Sequence, residues 1–299
     1  MNIIDLKKNI IHFLNFIKYE KNYSNNTINA YKCDLNEMIA YFELNKKDLS
    51  LNNRTSIQNF LSHISEKKIS AKTLSRKIAS IKSFFKYLIN QEVIKNNITK
   101  GISFPKLPKK VPVFLTENEI KKLIEMPKYH SKYPQRDSLI LELLYSTGMR
   151  ISELVSIKIE DIRLEEGIIK VLGKGKIERD VIIGSFAKIS LKKYLKCRKH
   201  VMSIFLFPTE NKRSIKKHIS IRKVFGDVKK YLFLATDNNS LSPHSIRHTT
   251  ATHMLVNGAD LISIKKILGH KSLKSTQTYT HVQKDYIKKV YKQSHPEGS

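Results

Sequence analysis

The sequence predicts a mainly α protein in which a small helical bundle, residues 1–100, precedes a larger, mainly helical α+β domain, residues 114–299. Three observations predict this arrangement. Apolar residues recur at helical spacing through the first 95 positions, prolines interrupt the chain near residue 105, and alternating residues bordered by glycines indicate a β-hairpin or three short strands over 167–184. With 299 residues and 40% hydrophobic content, the chain is long enough for two packed domains.

Four amphipathic segments predict the helices of the first domain. The second segment begins after Ser24, a residue type that caps helix N-termini. The fourth segment carries basic residues between its apolar positions. This pattern predicts an amphipathic helix whose apolar face packs on the core and whose basic face can bind a polyanion. The apolar positions of the four segments are 3, 6, 10, 13, 14 and 17; 27, 30, 31, 35, 38, 39 and 42; 57, 60, 61 and 64; and 74, 78, 81, 84, 85 and 88.

The clearest boundary is the segment 101–113. Pro105, Pro108 and Pro112 forbid a continuing helix and favour an extended, semi-rigid connector. Lys109 and Lys110 within it suit a strap along a phosphate backbone.

Local signals also predict elements of the second domain. Thr116 and Glu119 have the spacing of a capping box that opens a helix, and a buried helix from Ser138 to Tyr145 is predicted to end near Gly148. After the predicted strands, helical patterns resume at 186–199, 214–234, 244–256, 260–268 and 284–292.

The formal net charge is +29, far more of one sign than a solubility surface needs. Nucleic acid is the commonest partner for such a charge. Residues 1–107 carry a net +10 and residues 108–299 a net +19, so two basic domains could clamp one duplex. An anionic membrane is the rival partner, but no strongly basic amphipathic segment has a wide aromatic face.

Cys33 and Cys197 are isolated, and no signal peptide is evident, so we expect a cytoplasmic protein with reduced thiols.

Five residues in a fixed order suggest chemistry on a phosphodiester: Arg150, His244, Arg247, His270 and Tyr279. A phenol has a pKa of about 10 and is a poor nucleophile at neutral pH, so its attack needs fixed cations around the phosphate. Arginine is the side chain that suits a phosphate best, and only 10 of the 55 basic residues are arginine.

Metal catalysis is the alternative that the histidines raise, because five of them fall between positions 244 and 281. A metal nuclease needs several carboxylates, whereas Asp260 is the only acidic residue between 238 and 284. We therefore expect no metal and no cofactor. His248, His253 and His281 are expected to be structural.

These motifs closely resemble the tyrosine recombinase (integrase) family. The resemblance is carried by Thr-Gly-Met-Arg-Ile-Ser-Glu-Leu at 147–154, His-Ser-Ile-Arg-His at 244–248, Leu-Gly-His at 268–270 and Thr-Gln-Thr-Tyr-Thr-His at 276–281, and it extends over essentially the whole chain. The compact length and the segments 242–244 and 257–261 are most similar to the Xer-type recombinases, which resolve chromosome dimers. The resemblance implies a SAM-like core-binding domain followed by a catalytic domain of the DNA breaking-rejoining fold.

The resemblance also implies a role for each residue. Tyr279 forms a 3′-phosphotyrosyl link and frees a 5′-hydroxyl, while Arg150, Arg247 and His270 bind the non-bridging oxygens. His244 assists phosphate contact and proton transfer, and Glu153 supports the site. Lys174 matches the hairpin lysine that protonates the departing 5′-oxygen, although Lys176 lies two positions away. DNA contacts are expected from the N-terminal domain and the linker, at Lys72, Arg76, Lys77, Lys109 and Lys110.

The predicted function is therefore site-specific cutting and rejoining of double-stranded DNA at an inverted-repeat core site, without metal or ATP, during chromosome partition at cell division. The expected assembly is a homotetramer or a heterotetramer with a second recombinase, in which the segment 284–295 is exchanged between protomers. An FtsK-type DNA translocase of the division machinery is an additional expected partner. The alternatives are a phage or transposon integrase with the same chemistry, a type IB topoisomerase, and a DNA-binding protein that has lost catalysis.

Overall fold

The computed structural model describes residues 3–45, 54–106, 113–173, 178–198, 201–210 and 217–269. The chain divides into two compact units, Met1–Lys110 and Val111–Ser299, and the division falls inside the segment predicted as a linker. The mainly α class is confirmed, because helices dominate both units and the second unit adds one small sheet.

The first unit contains the four predicted helices. Helices α2 and α4 begin after Ser24 and Ser70, whose hydroxyls accept hydrogen bonds from the amides of Thr27 and Thr73. Each cap satisfies one of the amides that a helix N-terminus leaves without a partner. The bounds are α1 (Ile3–Tyr19), α2 (Asn25–Leu44), α3 (Arg54–Glu66) and α4 (Ala71–Asn90).

One hydrophobic core joins these helices, and aromatic rings fill its centre. The ring of Phe13 packs edge-on against Phe84 at a centroid distance of 5.4 Å, and Phe42 lies 6.1 Å from Phe60. All four side chains are fully buried, as the helical spacing predicts. Complete burial of one such side chain contributes about 1.5–3 kcal/mol to the stability of the unit.

A buried ion-pair network between α2 and α4 corrects one predicted DNA contact. Lys77 is buried and its ammonium group pairs with Asp34 at 3.2 Å and with Glu37. Arg76 also pairs with Asp34, but its side chain stays 41% exposed. Because two carboxylates hold the buried ammonium, Lys77 has a structural position in place of the predicted contact with DNA. Lys72 is exposed on the same helix.

The second unit begins with the predicted capping box. The Thr116 hydroxyl accepts from the Glu119 amide, and the Glu119 carboxylate accepts from the Thr116 amide at 2.7 Å. Seven helices follow in this unit among the described residues: α5 (Glu117–His130), α6 (Pro134–Thr147), α7 (Ile151–Val155), α8 (Ser185–Cys197), α9 (Ile221–Thr236), α10 (Pro243–Val256) and α11 (Leu261–Leu268).

The sheet has three antiparallel strands in sequence order, β1 (Ile162–Arg163), β2 (Ile168–Leu172) and β3 (Glu178–Ile182). Strand β2 pairs with β3 from Ile168↔Ile182 to Leu172↔Glu178, which confirms the short antiparallel strands predicted here. Ile169, Val171 and Val181 point into the core. The sheet begins at residue 162, slightly before the predicted start.

Two predicted helices of the second unit remain to be compared with the structure, at 214–234 and at 284–292. Helix α9 starts at Ile221 after the Ser220 cap, later than the predicted position 214, because residue 218 instead forms an isolated bridge with Pro208. The helix predicted over 284–292 lies outside the described residues. No helix in the described part of the chain is long and apolar enough to cross a membrane. Cys33 and Cys197 are free thiols, as predicted.

Candidate active site

Arg150 lies at the N-terminus of α7, directly after the turn that ends α6. That turn and a pair of hydrogen bonds to Glu153 fix the position of the Arg150 side chain. Gly148 ends α6 with φ 58°, in the left-handed region that favours glycine, and a Cβ there would clash with the Leu268 side chain. Two residues later, the Arg150 amide donates to Glu153 Oε2 and its Nη1 donates to Glu153 Oε1, both at 2.9 Å. The Arg150 side chain remains 35% exposed, so a ligand can reach the guanidinium.

Glu153 is the buried carboxylate at the centre of this arrangement. Its exposed fraction is 2%. Burial alone would raise the pKa of Glu153, but the hydrogen bond from the Arg150 amide and the charges of Arg179 and Arg150 outweigh burial and lower it. Glu153 is therefore ionised at neutral pH and holds Arg150 in place.

Helix α10 carries Arg247, whose side chain reaches the turn at Gly148 that precedes Arg150. Pro243 occupies the first turn of this helix, as predicted, His244 follows it directly, and Arg247 lies three residues after His244. Arg247 is buried, and its two Nη atoms donate to the carbonyl oxygens of Gly148 and Leu268, the latter at 2.6 Å. These carbonyls orient the guanidinium without neutralising its charge.

Arg179 is a further site residue, and no sequence motif marks it. It lies on β3, where its Nη2 donates to Glu153 Oε2 and its Nη1 to the Ile267 carbonyl oxygen, both at 2.8 Å. The scarcity of arginine in this lysine-rich chain was the available signal. That signal identified Arg150 and Arg247 because motifs surround them, whereas Arg179 lies in an ordinary alternating strand.

The charges of these residues leave the site strongly positive. Arg150, Arg179 and Arg247 carry three positive charges, and Glu153 supplies one negative charge, which gives a net +2 for this group. One phosphodiester carries a single negative charge, which is opposite in sign to the net charge of this group. Cations preorganised in this way stabilise a phosphoryl transition state.

The histidines of α10 have different environments. His244 is exposed, whereas burial lowers the pKa of His248, and the nearby His244 and Arg247 lower it further, so His248 is neutral at pH 7. His253 is structural, as predicted: its Nε2 donates to the Leu115 carbonyl at 2.9 Å, and its Nδ1 lies 3.0 Å from the Tyr145 hydroxyl. Within the described residues, no three His, Cys, Asp or Glu side chains are grouped so as to hold a metal ion.

The structure thus brings together Arg150, Glu153 and Arg247, and it gives His244 its position on the same helix as Arg247. Other predicted site residues lie outside the described ranges: Lys174 and the neighbouring Lys176, His270, Tyr279, His281, Lys109 and Lys110. Of these, Lys174 follows Gly173 in the connection after β2, and His270 comes directly after Gly269, which ends α11.

Two family models cover most of the chain. Residues 113–285 match the phage integrase family, and residues 10–92 match the N-terminal SAM-like domain of phage integrases. A tyrosine recombinase XerC from Thermodesulfovibrio yellowstonii is 42% identical over 293 residues, which cover 96% of each chain. The chain belongs to the phage integrase family, in its Xer-type branch.

Other relatives agree with this membership. A tyrosine recombinase XerD from Staphylococcus saprophyticus is 38% identical over 96% of this chain and 98% of its own. Among solved structures, the XerH site-specific recombinase bound to a palindromic difH substrate, in a post-cleavage complex, matches with a TM-score of 0.75 and 26% identity over 90% of this chain and 80% of that one. The chain is therefore a site-specific DNA recombinase with an N-terminal SAM-like domain and a catalytic integrase domain.

Proposed function

We propose that this Xer-type recombinase cuts and rejoins DNA through a 3′-phosphotyrosyl intermediate on Tyr279, and that it resolves chromosome dimers at segregation. The observation that carries the chemistry is the junction of two catalytic motifs. Arg247 donates to the carbonyl of Gly148, a residue 99 positions earlier in the chain and two positions before Arg150. This contact holds Arg247 beside the turn that leads into Arg150, and the Arg150 guanidinium in turn pairs with the buried Glu153.

The proposed reaction conserves the energy of the phosphodiester. The Tyr279 oxygen forms a bond to phosphorus, the bond from phosphorus to the 5′-oxygen breaks, and Lys174 gives a proton to that oxygen. His244 accepts the phenolic proton, while Arg150, Arg247 and His270 bind the non-bridging oxygens. Rejoining reverses these steps from the 5′-hydroxyl of another strand, so neither ATP nor a metal ion is required.

The binding mode follows from the charge of the chain. Both parts are basic, with net charges of +10 and +19. We propose that the N-terminal SAM-like domain contacts the duplex through Lys72 and Arg76 and the linker through Lys109 and Lys110. The active assembly is a tetramer of this chain, alone or with a second recombinase, on inverted-repeat core sites in the cytoplasm, and an FtsK-type translocase is a further partner.

The chemistry is tested with a nicked suicide duplex. Target duplexes are first selected from a random-sequence library by their binding to the protein and are then nicked near the cleavage point. We expect the intact chain to trap such a duplex covalently in the presence of EDTA. Tyr279→Phe should trap none and should keep its DNA affinity within a few-fold, because the hydroxyl is the attacking atom and a small part of the contact. Tyr129→Phe, at an exposed tyrosine of α5, is the matched control and should trap normally.

Each other result identifies an alternative. An adduct in Tyr279→Phe would exclude this nucleophile. Trapping that is lost in EDTA and restored by Mg²⁺ would indicate metal catalysis, and binding without any trapping would indicate a DNA-binding protein. Relaxation of plasmids that lack a selected site would indicate a topoisomerase.

The segregation role needs a test in cells. We expect deletion of the gene to produce filaments with unsegregated nucleoids. Abolishing homologous recombination, which creates chromosome dimers, should suppress this defect. A defect that persists without homologous recombination, or the absence of any defect, would argue against dimer resolution.

A further inference from the structure

Arg179 links three parts of the catalytic unit. From β3 it reaches Glu153 on α7 and the Ile267 carbonyl at the C-terminal end of α11, with both contacts at 2.8 Å. Its side chain is only 18% exposed. Arg163 on β1, the opposite edge strand of the sheet, differs, since its side chain is 41% exposed and pairs with the exposed carboxylates of Asp180 and Glu166.

The end of α11 is built around this guanidinium. Gly269 has φ 65°, and a Cβ at this position would lie 2.7 Å from Arg179 Nε. Glycine therefore serves both the left-handed turn and the close approach of the arginine. The carbonyls of Ile267 and Leu268 accept from Arg179 and Arg247, so two cations meet the negative end of the helix dipole.

Arg179 also shares the negative charge of Glu153 with Arg150. Glu153 Oε2 accepts from both the Arg150 amide and Arg179, while Oε1 accepts from the Arg150 guanidinium. Because two guanidiniums share one carboxylate, Glu153 orients Arg150 without cancelling its charge. A buried glutamate with Arg150 as its only charged partner would form a neutral pair and attract a phosphate less strongly.

We propose that Arg179 is a positioning residue for strand cleavage, which acts through Glu153 and the end of α11 and not by contact with DNA. It fixes Arg150 on one side and, on the other, the helix end after which His270 follows in the sequence. The proposal rests on the proposed function, because it assigns Arg179 to the transfer step at the phosphate bound by Arg150 and Arg247.

The test compares substitutions at Arg179 with Arg163→Met. The control removes one positive charge from β1 of the same sheet without touching Glu153 or α11. Arg179→Met should reduce the single-turnover rate of covalent trapping by about a hundredfold, since misplacement of a catalytic group by about 1 Å costs that much. Arg179→Lys should be intermediate, because an ammonium group lacks the planar fork that serves both acceptors. Affinity for a half-site should match that of Arg163→Met.

A double variant tests whether Arg179 acts through Glu153. If it does, Glu153→Gln combined with Arg179→Met should trap DNA no more slowly than the slower single variant, because both changes remove the same arrangement. If the rate loss of the double variant equals the product of the two single losses, Arg179 does not act through Glu153. Trapping by Arg179→Met at the rate of Arg163→Met would overturn the proposal. If Arg179→Met does not fold, Arg179→Lys decides: slow trapping at an unchanged melting temperature supports the proposal, and wild-type trapping overturns it.

Hydrogen exchange separates this inference from the proposed function. The amides of α11 should exchange faster in Arg179→Met than in Arg163→Met, whether or not the protein cleaves DNA. If the intact chain traps no DNA, the proposed chemistry fails while faster exchange still supports the α11 contact. If the intact chain traps DNA and neither trapping nor exchange responds to Arg179, only the positioning role fails.

Discussion

At the scale of single residues, a shared buried carboxylate occurs in each unit. Asp34 in the first unit accepts from Arg76 and Lys77, and Glu153 in the second accepts from Arg150 and Arg179. In both cases the carboxylate is almost fully buried and its partners come from other turns or other elements. Loss of such a carboxylate leaves a buried cation without its partner, which costs far more than loss of an exposed pair.

Asp34→Ala should therefore destabilise the first unit by at most about 3–5 kcal/mol, because Arg76 loses its carboxylate partner and the buried Lys77 keeps only Glu37. The measurement is urea unfolding of the full chain followed by circular dichroism. Glu43→Ala is the control, since Glu43 and Lys7 form an exposed pair at 2.6 Å that should contribute less than about 1 kcal/mol. Equal losses for the two variants would mean that the network contributes nothing beyond a surface pair.

At the scale of elements, the segment 284–295 after the nucleophile carries the prediction about assembly. Its residues lie outside the described part of the chain. The segment is rich in lysine, and the spacing of Tyr286, Ile287, Val290 and Tyr291 predicts one apolar face of a helix. Such a face can dock on a neighbouring protomer, as the family resemblance implies, or pack on its own chain.

Deletion of residues 284–299 should leave binding of one protomer to a half-site unchanged, because the basic units remain. It should reduce cooperative binding to a full site and alter the cleavage rate, because docking on a neighbour would be lost. Gel-shift titration of half-sites and full sites measures both effects. Deletion of 296–299 alone is the control. Normal assembly and recombination by the longer truncation would show that the segment is not exchanged.

At the scale of the whole molecule, the net charge of +29 is present in both parts of the chain. Each basic residue that neutralises a phosphate releases counterions, so binding weakens as salt rises. If both units contact one duplex, the number of neutralised phosphates is large.

We expect half-site affinity to fall by roughly a thousandfold or more between about 50 and 200 mM salt, as for a protein that neutralises ~6–10 phosphates. Tyr279→Phe protein is suited to this measurement, because covalent trapping cannot distort its equilibrium. Lys72→Ala should lower the slope of log affinity against log salt by about one unit, and Lys77→Met should leave that slope unchanged. A flat salt response of the intact chain would exclude the two-domain clamp.

Much of the architecture was predictable because its signals are local. The apolar spacing of α1, the Ser24 cap, the Thr116–Glu119 box and the turn at Gly148 each depend on residues within a few positions of one another. The start of α9 was wrong by several residues, because the bridge between Pro208 and His218 competes with the helical pattern.

The sequence alone determined the family, the mainly α class and the candidate catalytic residues, since residue types in a fixed order identify a reaction without coordinates. The partner of each basic side chain, in contrast, is evident only from the three-dimensional structure. Lys72 and Lys77 look equivalent along the chain, yet one is exposed and the other is buried between carboxylates of another helix. Arg179 lies in an ordinary strand, yet folding brings it to Glu153 and to the end of α11. The physical reason is that the partner of a charge is set by distance in space, and packing fixes that distance between residues far apart in the chain.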